Sequence, residues 1–206
     1  MIHTWSIPAV TTCPGATEAC LSVCYAKSGH AAWPSTQFRW SQNYEFSQTE
    51  LFEQWLASAL ISESVRTLRV HVAGDIYSAE YAAKLRRVFQ KNRRVVAYLY
   101  TRSWREAAIV PELRALAKLK NVHLWLSADA DTGRPVRISR TRIAWMARND
   151  TEALAVPEWA NLIFRNTTRT TLKKVNGIQV CPAEIGVPDK PKITCSRCQI
   201  CFREAK

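Results

Sequence analysis

No apolar run in this chain approaches the roughly 18 residues that a membrane-crossing helix needs, so no membrane partner is expected. The opening Met1-Ile2-His3-Thr4-Trp5-Ser6 has no basic stretch followed by an apolar segment, and no export leader is read there. Together these point to a soluble cytoplasmic protein. Internal repeats and low-complexity tracts are also missing, as are recognition-helix and zinc-finger patterns. Acidic residues are few: 17 Asp and Glu stand against 29 Lys and Arg, a formal charge of +12. Such a field attracts polyanions, and DNA or RNA is the expected partner, against the plainer reading of a solvated basic surface.

An even cysteine complement is lacking too. Seven thiols cannot all pair as disulfides, and without an export signal a reducing compartment is expected, where clustered thiols usually bind metal. The 206 residues are 47% apolar, enough for one well-buried core.

Strand-like runs rich in Val, Ile, Leu and aromatics fall at 5–10, 68–73, 95–101, 122–127, 142–147 and 161–165. Helical stretches at 49–63, at 78–91 and from Pro111 to Lys120 lie between them, with Thr49 and Ser78 as N-caps. Strands alternating with helices pair in parallel, so the fold class is α/β: a partial, open parallel barrel of about six strands. The chain is read as a single domain, with a core over 1–170 carrying an N-terminal cysteine loop. A cysteine-rich tail over 171–206, where Pro182, Pro188 and Pro191 interrupt any periodicity, packs on that core.

The tail holds Cys181, Cys195, Cys198 and Cys201, three of them spaced by two residues as in the ligand runs of 4Fe-4S ferredoxins. A four-cysteine zinc site competes, because it also uses such spacing; unrelated buried thiols are the third reading. Cys13, Cys20 and Cys24 follow the first strand, where α/β proteins place their sites. Three thiolates would leave one iron of a cubane open. The plain alternative is core thiols one helical turn apart, and a single cluster drawing ligands from both ends of the chain is a further arrangement. One cluster, possibly two, is thus the cofactor expectation.

Polar residues end several strands: Asp75, Arg102, Asp129, Asp131 and Arg165. In a parallel α/β architecture these ends share one rim, which suggests a pocket near Cys13; as single residues they serve equally well as helix caps and ion pairs. His71 reads as a core histidine. Trp104, between Arg102 and Arg105, could stack a base. The other candidate phosphate contacts are Arg86, Arg87, Arg94, Lys173, Lys174, Lys190, Lys192 and Arg197. No catalytic residue or oligomeric state is assigned.

At Cys13-Pro-Gly-Ala-Thr through Cys24-Tyr25-Ala26, His71-Val-Ala-Gly74-Asp75, Tyr100-Thr-Arg102-Ser-Trp104, Ser127-Ala-Asp129-Ala-Asp131-Thr-Gly133 and the final cysteine run, the chain resembles the gene 88 proteins of phages and plasmids. More distantly it is similar to radical-SAM proteins. The resemblance implies a reduced radical-SAM-type barrel with an iron-sulfur cluster, carried on a mobile genetic element. It also implies a substrate contact near Gly74-Asp75 and raises SAM as a ligand. The usual radical-SAM cysteines are spaced by three and two residues; here the intervals are six and three. Three functions follow: a nucleic-acid-binding iron-sulfur protein, a radical-SAM-like enzyme, or a zinc-stabilised interaction module.

Overall fold

The computed structural model describes residues 1–165, 172–185 and 193–203. Its centre is an eight-stranded sheet: β1 (His3–Trp5), β2 (Thr67–Val70), β3 (Val96–Thr101), β4 (Val122–Ala128), β5 (Arg142–Ala147), β6 (Leu162–Arg165), β7 (Lys174–Val175) and β8 (Ile178–Val180). The order is β1-β2-β3-β4-β5-β6-β8-β7. Every neighbouring pair is parallel except β7 with β8. The sheet ends at β1 and β7, so it is open.

Two strands more than expected are present because β7 and β8 are too short to carry a periodic signal. Their turn is nonetheless written in the sequence. Asn176 and Gly177 have φ of 51° and 80°, the two positive values that a two-residue hairpin turn needs and that Asn-Gly adopts at little cost. The hairpin delivers Cys181 to the sheet.

Adding β1 to β6 always on the same side, with crossovers of one hand, places the connecting helices on one face. They are α3 (Phe52–Ser62), α4 (Ala79–Lys91) and α5 (Val110–Ala117). The Ser78 hydroxyl caps α4 by accepting from the Tyr81 amide, and Tyr81, Leu85, Val88 and Phe89 form a fully buried stripe. These pack on Leu68, Val70, Ala97, Leu99, Leu124 and Leu126 of the strands. His71 belongs to this layer: its Nε2 lies 2.9 Å from the Tyr81 hydroxyl, which accepts from Trp5 Nε1. Burial drives the imidazole pKa down to about 3, leaving it neutral.

The helix expected at 49–63 is α3, which starts at Phe52 after Leu51 with no side-chain cap; Thr49 is not its N-cap, its hydroxyl donating instead to the Phe46 carbonyl. A separate helix, α2 (Pro34–Ser47), precedes α3, and the buried Lys84 ammonium sits at its end, donating to the carbonyls of Ser47, Gln48 and Thr49. Only Ser47 of α2 is buried, so it lacks the apolar stripe by which helices are found; Pro34 in its first turn was the signal available.

Because side chains alternate along a strand, Arg69, Tyr98, Tyr100, Trp125, Ala144, Leu162 and Phe164 fall on the opposite, inner face. Trp125, Ala144 and Leu162 form a second apolar cluster there, with Tyr100, Phe164, Ile200 and Cys201 against it. Among the described residues no helix is long and apolar enough to cross a membrane.

Gly177 is expected to serve conformation and not packing, since nothing lies within 4 Å of where a Cβ would stand. Gly177→Ala should therefore cost about 1–2 kcal/mol, the strain of a left-handed non-glycine residue, read as a lower denaturant midpoint. A loss several-fold greater would show that the position is packed.

Candidate functional site

The loop after β1 carries the first three cysteines and is fastened to the strand ends at every turn. Thr17 caps α1 (Glu18–Ser22): its hydroxyl accepts from the Cys20 amide at 3.0 Å and donates to Asp129 Oδ2 at 2.7 Å. Asp131 Oδ2 accepts from the Ala19 amide at 3.2 Å. Arg105 Nη1 donates to the Gly15 carbonyl at 3.0 Å. Gly15 is required by proximity, since a Cβ would stand 2.1 Å from the Arg102 carbonyl oxygen. Gly74, at φ 83°, leaves the same sort of room: its Cβ would stand 2.4 Å from Ile7 Cγ1 and 2.7 Å from Thr12 Oγ1.

Asp75 and Asp129 are the buried acids of this rim. Asp75 Oδ1 accepts from the Ile76 amide and Oδ2 from the Arg102 amide, both at 2.7 Å. Burial raises its pKa to about 6, against the opposing pull of the Thr101 hydroxyl and those two amides. Asp129 Oδ2 pairs with Arg102 Nη1 at 2.6 Å, and its Oδ1 accepts from the amides of Asp131 and Thr132.

These contacts frame a cavity of about 210 Å³ on the inner face, at the carboxyl ends of the strands. Cys13, Cys20 and Cys24 all border it, with Tyr25, Arg69, His71, Asp75, Tyr100, Arg102, Met146 and Phe164. Burial, reinforced by the Asp75 charge, pushes the Cys13 thiol up to about 12. Cys20 is raised by burial while Arg102 opposes. Such thiols stay protonated alone and ionise on binding a metal, so they suit ligands better than free nucleophiles.

Of the five rim residues expected from the sequence, Asp75 and Arg102 border the cavity. Asp129 and Asp131 stand behind it and hold the loop. Arg165 shares the strand parity of Ile163, away from the cavity, and pairs with Asp150 at 3.2 Å.

The tail cysteines form a second group lower on the same face. Cys181 follows β8, and its amide donates to the Ile163 carbonyl at 2.8 Å. Cys195 and Cys198 begin and end the short helix α6 (Cys195–Cys198), and Gln199, at φ 62°, turns the chain towards Cys201. Tyr100 donates its hydroxyl to Cys201 Sγ at 2.7 Å, and Trp125 Nε1 donates to the Cys201 carbonyl at 2.9 Å. Arg142 donates to the carbonyls of Ile200 and Cys201, with its guanidinium 4.1 Å from the Trp125 ring centroid. Burial raises Cys181 to about 12.

All four tail cysteines border one cavity of about 20 Å³, room for about one water. Four thiols are a donor set that suits a cluster, but that space holds no cubane unless the segment opens. Among the described residues no group of three or more His, Cys, Asp or Glu could hold a single metal ion.

The expected nucleic-acid contacts separate into two kinds. Trp104 is buried and donates Nε1 to the Ser127 carbonyl at 2.9 Å, so it presents no ring to a base. Arg105 holds the cysteine loop, Arg86 pairs with Glu112 at 3.0 Å, and Arg87 pairs with Glu53. Arg94, Lys173, Lys174 and Arg197 are exposed; Lys190 and Lys192 lie outside the described residues. Sequence reasoning missed Arg69 at the cavity and gave no role of their own to Tyr100 there or to Thr17 behind it. A lone arginine between Leu68 and Val70 in a buried strand was the available sign for the first.

Thr17→Val should remove the α1 cap and the Asp129 contact, lowering stability by about 1–2 kcal/mol. Gly15→Ala should cost about 3 kcal/mol, because backbone must shift to admit the methyl group. Thermal and denaturant unfolding would check both, and an unperturbed Gly15→Ala protein would show that the loop does not press on β3.

Gene 88 protein of Mycobacterium phage L5 is 27% identical over 131 residues, 58% of this chain and 53% of that protein. The matched part thus spans about half the length of that curated relative. No solved structure matches the chain. The family model described as Gene product 88 matches residues 1–204, and with nearly its whole length covered the chain belongs to the Gene product 88 family.

Proposed function

We propose that this chain is an iron-sulfur protein of a mobile genetic element, with Cys13, Cys20 and Cys24 holding a 4Fe-4S cluster that faces the rim cavity. The observation that carries the reading is that these three thiols, separated in sequence, border one cavity at the carboxyl ends of parallel strands. Core thiols would be packed against neighbours; these border open space. Sulfur donors favour iron-sulfur clusters and zinc, and a three-thiolate set suits a cluster that keeps one iron for an external ligand.

When bound, such a cluster supplies electrons and an open coordination position. The chain's own residues do the rest. Asp129, Asp131 and Arg105 hold the loop in register with the strand ends. Met146, Phe164 and Tyr25 line the cavity beside the cysteines. This is the enzyme-like arrangement, and it favours the radical-SAM-like reading, with SAM as a candidate ligand at the open iron. Cys181, Cys195, Cys198 and Cys201 would hold a second, closed cluster that pins the tail, provided the segment opens around it.

Anaerobic purification followed by iron, sulfide and zinc analysis tests this. About eight irons per chain are expected, with Cys20→Ser and Cys198→Ser each losing about half. Cys20→Ser retaining all its iron would sink the rim cluster, and zinc in place of iron would favour the interaction module.

A second reading, nucleic-acid binding, is favoured by the charge of +12 and by exposed Arg94, Lys173, Lys174 and Arg197, which make no ion pair among the described residues. Affinity should fall with log salt at a slope near −0.9 per phosphate contact. With Trp104 interior, no preference for unpaired bases is expected. Titrating single- and double-stranded oligonucleotides at two salt concentrations checks both points, and absence of binding at low salt would end this reading.

A further inference from the structure

The cavity holds two guanidinium groups in opposite states. Arg102 is satisfied, by Asp129 at 2.6 Å and by the Met146 sulfur at 3.6 Å. The side chain of Arg69, also bordering the cavity, makes no hydrogen bond and no ion pair among the described residues, and its Nε is buried without a partner.

The groups that surround Arg69 electrostatically are the hydroxyls of Tyr25, Tyr98 and Tyr100 and the thiol of Cys195. A phenol is neutral near pH 7, so none of the three tyrosines supplies a counter-charge. The two carboxylates at the cavity are committed elsewhere. Asp75 accepts from the amides of Ile76 and Arg102, and Glu184 accepts from the Arg165 amide. Arg69 is half-buried with its Nε fully buried and unpartnered, which is costly, and arginine cannot escape the cost by releasing its proton.

We infer that Arg69 is the anchor of an anion-binding site, which takes the oxyanion of a small organic acid, a carboxylate or a phosphate ester. The apolar part of that acid lies in the cavity against Met146 and Phe164. The remaining lining supports an apolar body: Ala16, Val72 and Ala73 also border the space. Its volume of about 210 Å³ lies below the roughly 300–1,000 Å³ of sites for drug-sized ligands, which sets the size class. The fork of a guanidinium matches either oxyanion in bidentate fashion. The site goes beyond the cluster reading and does not require it.

The test is calorimetric titration of the full chain at neutral pH and low salt with butyrate, butyl phosphate, butyramide and inorganic phosphate. Iron and sulfide are measured in each sample, so a chain without a cluster is recognised by its metal content and not by its binding. Saturable binding of butyrate or butyl phosphate is expected in metal-free protein, with butyramide at least tenfold weaker; a cluster on Cys13, Cys20 and Cys24 would share the cavity, so iron-loaded protein should bind either acid more weakly. The tighter of the two acids identifies the oxyanion. Arg69→Gln should weaken binding at least tenfold, and Arg69→Lys less than that. Equal affinity for butyrate and butyramide, no saturation by either acid, or unchanged binding in Arg69→Gln would overturn the assignment. Inorganic phosphate binding as tightly as butyl phosphate would overturn the apolar part. Should Arg69→Gln fail to fold, the comparison of acid with amide on the unaltered chain still decides.

Discussion

One carboxylate joins the parts of this molecule that matter for its site. Asp129, at the end of β4, is 1% exposed and binds three elements at once: the Arg102 guanidinium beyond β3, the Thr17 hydroxyl that caps α1, and the amides of its own turn. A buried pair of this kind adds little net stability, because desolvating both charges offsets their attraction. Breaking one half leaves a bare buried charge, at a cost of about 3–5 kcal/mol. Its contribution is therefore positional. The Cys20 helix and the Arg102 side chain cannot move independently, and the cavity between them keeps its shape.

The topology explains why a cavity exists at all. Helices on one face bury the large apolar side chains of the sheet, and the inner face is left with residues of mixed character: Arg69, Tyr98, Tyr100, Trp125 and Arg142. Two cysteine segments, from opposite ends of the chain, cover that face at different heights. Tyr100 is the wall between them, bordering the upper cavity and donating to Cys201 below. The tail is held by side chains of the sheet: the Tyr98 ring lies 5.1 Å from that of Phe202, and Arg142 and Trp125 converge on the Cys201 carbonyl. Arg142 is a structural clamp.

Legibility varied with the physical signal. The stripe Tyr81, Leu85, Val88 and Phe89 and its Ser78 cap were plain, because burial on one helix face imposes a period that composition displays. The central strands were plain for a related reason, as parallel strands covered on both sides read as apolar runs. Helix α2, almost all of it away from the core, has no such period, and β7 and β8 are too short for one. The rim was half legible. Polar residues at strand ends marked it, but nothing in the sequence separates Asp75, which borders the cavity, from Asp131, which braces the loop behind it.

Sequence by itself determined the fold class, the two groups of cysteines, the excess of positive charge and the place where a rim would form, since all of these depend on local period, spacing or composition. Tertiary structure alone decided which groups meet. It turned Trp104 inward to the Ser127 carbonyl, gave Asp129 to Arg102 and Thr17, sent Arg165 to the other face, and left Arg69 beside a cavity without a counter-charge. The physical reason is that partnership between charges and polar groups is set by distance across the fold. Thr17 and Asp129 are 112 residues apart in the chain and 2.7 Å apart in space, and no local pattern encodes that approach.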